Sequence, residues 1–146
     1  MDRSKTATVL VVDDEAIVAE MYRLALERAG YRALIALDGE TALETITAVR
    51  PDFIFLDVRM PKMSGVEVLT RLVNDPMTRK IPVVMLSNYD DPTIVRQSLS
   101  LGAKEYLVKA GLMPAALPTV VAHWLTPPAS DELLSRIKRR TIHQAS

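Results

Sequence analysis

The sequence predicts a doubly wound α/β domain, a parallel sheet of five strands with helices on both faces, and three observations predict it. The runs Val9-Leu10-Val11-Val12, Phe53-Ile54-Phe55-Leu56 and Val83-Val84-Met85-Leu86 are apolar without interruption, as strands covered on both faces are. Segments with helical apolar spacing separate these runs. Each run ends in a carboxylate or a hydroxyl, and in open parallel sheets ligands bind at the carboxyl ends of the strands.

In chain order, the first strand is Val9 to Val12. The first helix carries Ile17, Met21, Leu24, Ala25 and Arg28 and closes at Gly30, the place of a left-handed C-cap. A weaker run, Arg32 to Ala36, is the second strand. The second helix opens at Asp38 as N-cap, continues through Ala42, Leu43, Ile46 and Val49, and stops at Pro51. After the third strand, the third helix carries Val66, Val68, Leu69 and Leu72. After the fourth strand, the fourth helix carries Ile94, Val95, Leu99 and Leu101 before Gly102, and Glu105 to Val108 is a weak fifth strand. Strict alternation of strand and helix implies right-handed crossovers, and five short strands favour the flavodoxin-like order 2-1-3-4-5 with the weak runs toward the edges.

The last helix, Pro114 to Leu125, has His123 as its one potentially charged residue, so it is expected to be buried on more than one side. Pro118 removes an intrahelical donor, which predicts a kink or a start at Pro118 itself. Thr126-Pro127-Pro128-Ala129 then breaks the chain. Ser130 caps a short final helix with Asp131 and Glu132 in its first turn, Leu133, Leu134 and Ile137 on one face, and Arg136, Lys138, Arg139 and Arg140 toward its end. The expected division is a domain over 6–125 and a linker with a short helix over 126–146. Helix five, with Trp124 and Leu125, is expected to be covered by that tail or by a second subunit, a homodimer through either element.

Composition narrows the function. The 146 residues hold 18 Lys and Arg against 18 Asp and Glu, so no overall field draws the chain onto nucleic acid. With no cysteine there is no disulfide scaffold, thiolate zinc site or thiol nucleophile. The start, Met1-Asp2-Arg3-Ser4-Lys5, precedes only a short apolar stretch, which fits neither a signal peptide nor a membrane span. A cytoplasmic protein without membrane contact is the expectation. His123 and His143 have no partner spacing for a metal or a nucleophile and are ordinary packing or surface residues. The basic run from Arg136 to Arg140 is a solvated helix end.

The strand ends form one set: Asp13-Asp14 after the first strand, Asp57 after the third, Ser87 after the fourth and Lys109 after the fifth. Carboxylates gathered so closely repel, and the simplest compensation is a hard divalent cation with oxygen ligands. Magnesium fits best, since it takes one or two carboxylates, keeps several waters and shares phosphate oxygens with its substrate. A carboxylate also serves as nucleophile in phosphoryl transfer, giving an aspartyl phosphate. Mg2+ on one side, Lys109 on the other and the Ser87 hydroxyl would neutralise the equatorial oxygens. Taken singly, each residue has a plainer reading: Asp13-Asp14 as a helix cap, Asp57 and Ser87 as turn residues, Lys109 as a solvated lysine, Tyr106 as a half-buried strand aromatic. Gly65 is a glycine the loop needs for its backbone angles.

Over roughly residues 6 to 125 the chain resembles the receiver domain of two-component response regulators. The matching features are Asp13-Asp14 after Val-Leu-Val-Val, the segment Asp57-Val58-Arg59-Met60-Pro61-Lys62-Met63-Ser64-Gly65, Ser87 after strand four, and Tyr106 with Lys109. The resemblance implies that Asp57 is the phosphoacceptor, that Asp13, Asp14, Asp57 and the Arg59 carbonyl bind Mg2+, and that Lys109 contacts the phosphoryl group. It implies that Ser87 and Tyr106 are a switch pair remodelling the face of helix four, strand five and helix five. The implied partners are a histidine kinase or histidine phosphotransfer protein and a downstream protein target. The chain would catalyse its own phosphorylation and slow dephosphorylation. Only about twenty residues follow helix five, too few for a DNA-binding domain, so output is expected through protein contact without direct DNA binding.

Three features depart from the family pattern. Ala110 follows Lys109 where proline usually supports a cis peptide; a cis bond without proline costs about 2.5 to 4 kcal/mol, and the sequence leaves open which isomer forms and so where Lys109 is placed. Helix five lacks a charged outer face. Asn88 stands where a small residue is commoner and narrows access to the phosphoryl group. The alternative reading is a degenerate receiver acting as a phosphorylation-independent binding module. An aspartate-nucleophile phosphatase would carry a second aspartate where Arg59 stands, and a flavin carrier would have a Gly, Ser or Thr-rich cradle where Asp13-Asp14-Glu15 stands.

Overall fold

A computed structural model of the protein describes residues 6–126. Five strands, β1 (Thr8–Val12), β2 (Arg32–Ala36), β3 (Phe53–Asp57), β4 (Val83–Ser87) and β5 (Glu105–Val108), alternate with α1 (Ala16–Arg28), α2 (Gly39–Val49), α3 (Gly65–Val73), α4 (Pro92–Leu101) and α5 (Leu117–Leu125). All pairings are parallel and the order is β2-β1-β3-β4-β5. The weakly apolar runs are the two edges, where one flank of each strand is free to meet solvent.

Alternate strand residues serve opposite faces. Leu10, Val12, Ile54, Leu56 and Met85 pack with Ala42, Ile46, Val68, Leu69 and Leu72 beneath α2, α3 and α4. Val9, Val11, Phe53, Phe55, Val84 and Leu86 pack with Ala19, Tyr22, Leu26, Leu117 and Val121 beneath α1 and α5. The central strands must be apolar at every position because both faces are covered.

Helix boundaries follow local chemistry. Asp38 Oδ1 accepts the Thr41 amide at 2.7 Å, Ser64 Oγ the Glu67 amide at 3.2 Å and Asp91 Oδ1 the Thr93 amide at 2.9 Å. Gly30 and Gly102 follow α1 and α4 with φ of 99° and 119°, backbone that only glycine adopts readily. Ahead of Pro51, Arg50 takes φ 55° as the cap of α2.

The expected break near Pro118 is present: Pro114–Ala116 forms a 3-10 turn and α5 starts at Leu117, with Pro118 in its first turn where a missing amide is harmless. In α5, Leu117 and Val121 are buried, whereas Thr119 and Ala122 are exposed. The tail expected to cover it, with Leu133, Leu134, Ile137, the basic run and His143, lies outside the described residues. His123 stacks edge-on against Trp124, with centroids 4.8 Å apart.

Candidate functional site

The parallel register carries the strand ends to one edge. Asp57 pairs with Leu86, Ser87 with Val108, and the Lys109 amide donates to the Ser87 carbonyl at 2.7 Å. Carboxylate oxygens of Asp13, Asp14 and Asp57 lie within 4.8 Å of one another. Asp13 and Asp57 are buried, and Asp14 faces solvent.

Lys109 answers this charge from β5. Its Nζ is 2.7 Å from Asp13 Oδ2, 3.1 Å from Asp57 Oδ2 and 3.2 Å from Glu15 Oε1. The contacts to Asp57 and Glu15 are directed hydrogen bonds. That to Asp13 is a close ion pair without hydrogen-bond direction, so the buried Asp13 Oδ2 has no true donor. Asp13 Oδ1 accepts the Glu15 amide at 2.9 Å, which is the plainer capping role beside the sharper one. The described residues have no cis peptide, so the Lys109–Ala110 bond is trans. It still delivers the ammonium to the carboxylates.

Burial drives the Asp57 carboxyl up to about 7, opposed by the Lys109 charge and reinforced by Asp13 and Asp14. Burial would push Lys109 down, but Asp13 and Asp57 outweigh it and hold the ammonium above the usual lysine range. Three carboxylates thus share one ammonium in a partly dry site, with Asp14 a fourth beside them. The donor set is all oxygen, it is under-neutralised, and one buried oxygen lacks a donor. These properties fit a hard divalent cation.

Glycine at position 65 has a reason that backbone angles do not supply, since its φ is not positive. A Cβ there would stand 2.0 Å from the Asp57 carbonyl oxygen and 2.9 Å from the Asp57 carbonyl carbon. The Gly65 amide donates to the Val58 carbonyl at 2.8 Å. Close approach of α3 to the end of β3 therefore fixes the backbone at Asp57.

Ser87 and Tyr106 do not meet the carboxylates in one contact set; they meet at Tyr89. Ser87 Oγ accepts the Tyr89 amide at 3.0 Å, and the Tyr106 hydroxyl donates to the Tyr89 carbonyl at 2.9 Å. Arg59, exposed in the loop after Asp57, stacks its guanidinium 4.5 Å from the centre of the Tyr89 ring. Glu15 and Tyr89 are the residues sequence reasoning missed. For Glu15 a signal was present, its place directly after the aspartate pair; an aromatic two residues past Ser87 gave none. Asn88 is exposed and lines a cavity of about 280 Å³ with Glu15, Tyr22 and Lys109. Tyr22 is buried there, and burial raises its phenol above the ordinary value.

Comparison with known proteins agrees with this geometry. Residues 9–121 match the model of the response regulator receiver domain. The phosphate regulon transcriptional regulatory protein PhoB of Pseudomonas aeruginosa is 41% identical over 102 residues, 70% of this chain and 44% of PhoB. Response regulator PleD of Caulobacter vibrioides is 39% identical over 104 residues, 71% of this chain and 23% of PleD. The chain therefore spans less than half the length of these curated relatives. Among solved structures, the chemotaxis response regulator CheY4 of Vibrio cholerae superposes with a TM-score of 0.76 at 31% identity, covering 83% of this chain and all of CheY4. The receiver domain of Francisella response regulator 1452 gives 0.72 at 29%, covering 80% and 93%. A five-stranded 2-1-3-4-5 domain with an acidic cluster and lysine at its carboxyl edge is a receiver, and this chain belongs to the response regulator receiver family.

Proposed function

We propose that the chain is a phosphorylation-operated switch that takes a phosphoryl group from a histidine kinase or histidine phosphotransfer protein onto Asp57. The observation that carries this is the buried Asp57 carboxylate held 3.1 Å from Lys109 Nζ beside Asp13 and Asp14. An Asp57 oxygen attacks phosphorus, the bond to the donor's imidazole nitrogen breaks, and its electron pair leaves with the imidazole. Little covalent chemistry is asked of the protein beyond in-line positioning and charge.

Asp13, Asp14, Asp57 and the Arg59 carbonyl are the residues to hold Mg2+, which when bound supplies positive charge to the phosphoryl oxygens. Lys109, already directed at Asp57, shifts a hydrogen bond to the incoming phosphoryl oxygen as its carboxylate partner is esterified. Ser87 donates a hydrogen bond from its hydroxyl to another phosphoryl oxygen. That movement withdraws the acceptor of the Tyr89 amide, and Tyr106 holds the other side of the same residue. A charge event at Asp57 is thereby felt by the β4–α4 loop, a two-state element of the kind phosphorylation biases.

Output through protein contact, without direct DNA binding by this domain, completes the reading, together with slow self-catalysed dephosphorylation and a cytoplasmic setting. No helix among the described residues is long and apolar enough to cross a membrane. The alternative, a phosphorylation-independent binding module, has no observation in its favour, since Asp13, Asp14, Asp57, Ser87 and Lys109 are all retained. Intact-protein mass after incubation with acetyl phosphate tests the proposal. One phosphoryl adduct is expected with Mg2+, and none with EDTA or in Asp57→Asn. An adduct that persists in Asp57→Asn, or its absence from the wild type when a control receiver is labelled, overturns it.

A further inference from the structure

Of the five helices, α4 is seated on the least apolar surface. Each of the others buries two or more apolar side chains, whereas in α4 the one buried residue is Ser98. Ile94, Ser98 and Leu101 stand at i, i+4 and i+7 and so share one helix face. Ile94 and Leu101 are only partly buried where they pack against the apolar cluster beneath α2, α3 and α4, and Leu99 is 44% exposed. A hydroxyl therefore occupies the centre of the inward face, where an apolar side chain would be expected.

That hydroxyl is unpaired. Ser98 is 0% exposed, and its Oγ has no hydrogen-bond partner among the described residues. The hydroxyls of Thr47 in α2 and Thr70 in α3 each donate to the carbonyl four residues back, at 3.0 and 2.8 Å, a common solution for such a side chain inside a helix. Ser98 makes no such bond. A buried donor without an acceptor forfeits the bonds it has in water, so the docked position of α4 is penalised relative to one in which the hydroxyl reaches solvent.

The surroundings leave α4 able to move as one piece. On its α3 side a cleft of about 670 Å³ separates Ile94 and Gln97 from Val58, Met60, Pro61 and Val66. Ahead of α4 the chain is anchored at Tyr89, which Ser87 and Tyr106 hold. Beyond α4 it is anchored again where the Lys104 amide donates to the Val83 carbonyl at 2.8 Å. Between these anchors, Asp91-Pro92 starts the helix and Gly102 follows it with φ of 119°. Both are element-terminal positions of the kind that absorb a change of backbone angle.

We infer that α4 is a separately opening unit: residues 90–102 leave the sheet together while the rest of the domain stays folded, and the unpaired Ser98 hydroxyl sets how often they do so. Opening frees the hydroxyl to water and withdraws Ile94 and Leu101 from the cluster. The inference rests on packing alone and does not depend on phosphorylation of Asp57.

Native-state hydrogen exchange of the full, metal-free chain tests it. Amides of 96–101 are expected to exchange at least about a hundredfold faster than those of β3. Ser98→Ala is expected to slow them by at least about tenfold, because it removes the unpaired donor and keeps the apolar contacts. Alanine is also the better helix former, so Ser100→Ala, at an exposed position of the same helix, is the control and is expected to slow them by less than about threefold. Exchange at 96–101 as slow as in β3, equal effects of the two substitutions, or faster exchange in Ser98→Ala would each overturn the inference. The chain has no cysteine, so an engineered thiol reports alone. Ser98→Cys is expected to react with a maleimide under native conditions at a rate nearly insensitive to low urea, while Val68→Cys, equally buried but in α3, is expected to stay unlabelled until global unfolding. Equal protection of the two thiols would also overturn it.

Discussion

Lys109 and Asp13 form the shortest ion pair of the site, Nζ to Oδ2 at 2.7 Å, with both side chains buried. The ammonium therefore serves two purposes. It is directed at Asp57, and among the described residues it is the one cation in contact with two carboxylates that have left water. Removing one partner of such a set leaves uncompensated buried charge.

Lys109→Met is accordingly expected to destabilise the metal-free protein by about 3–5 kcal/mol at neutral pH, read by urea unfolding in EDTA. Added Mg2+ is expected to recover more stability in the variant than in the wild type. Equal stability of variant and wild type in EDTA would contradict the charge description.

A second expectation concerns pH in the metal-free protein. The Asp57 carboxyl is raised from 3.8 to about 7 in the fold, so between those values the folded chain holds a proton that the unfolded chain has released. Stability from this group is then full at low pH, falls as pH rises through the window and levels off above about 7. Asp57→Asn is expected to remove this decline, so its melting temperature gains on the wild type from pH 5 to pH 8. Parallel pH profiles for the two proteins would contradict it.

Gly65→Ala tests the backbone approach behind Asp57. The added Cβ would meet the Asp57 carbonyl oxygen at 2.0 Å, and main chain cannot step aside as a flexible side chain can. A loss at the upper end of the about 1–3 kcal/mol seen for overpacking is expected by thermal unfolding, with a reduced phosphoryl adduct at matched folded fraction. Wild-type stability and labelling would show that α3 and β3 are not so tightly joined.

Tyr106→Phe removes the hydroxyl that holds the Tyr89 carbonyl at 2.9 Å and leaves the ring packed against the α2–α4 side of the core. The bond is solvent-exposed, so the stability cost is expected to be no more than about 1 kcal/mol. Amides of the β4–α4 loop are expected to exchange faster, with β4 itself unchanged. Unchanged loop exchange would leave Tyr106 as a strand aromatic and no more.

Much of this was legible in the sequence because it rests on patterns with a direct physical cause. Uninterrupted apolar runs forced a two-faced parallel sheet, and their polar last residues marked the site edge at Asp13, Asp57, Ser87 and Lys109. The misses share another cause: they depend on contacts between segments far apart in the chain. Nothing local to Gly65 reveals that the Asp57 carbonyl crowds it. Glu15 and Lys109 meet only after the sheet is assembled, and Tyr89 becomes the joint between Ser87 and Tyr106 only because β5 sets Tyr106 beside the segment that follows β4. At α5, Pro114 diverts the first turn into 3-10 geometry, and the helix begins one residue before Pro118.

The central claim is that Asp57 is the group that receives phosphorus, and the most direct measurement is chemical mapping of the acceptor. The Mg2+-loaded protein is treated with acetyl phosphate, reduced with borohydride, which converts an aspartyl phosphate to homoserine, then digested and sequenced by tandem mass spectrometry. The expected result is homoserine at position 57 and at no other aspartate, dependent on both phosphodonor and Mg2+. Homoserine at Asp13 or Asp14 with position 57 untouched would contradict the account.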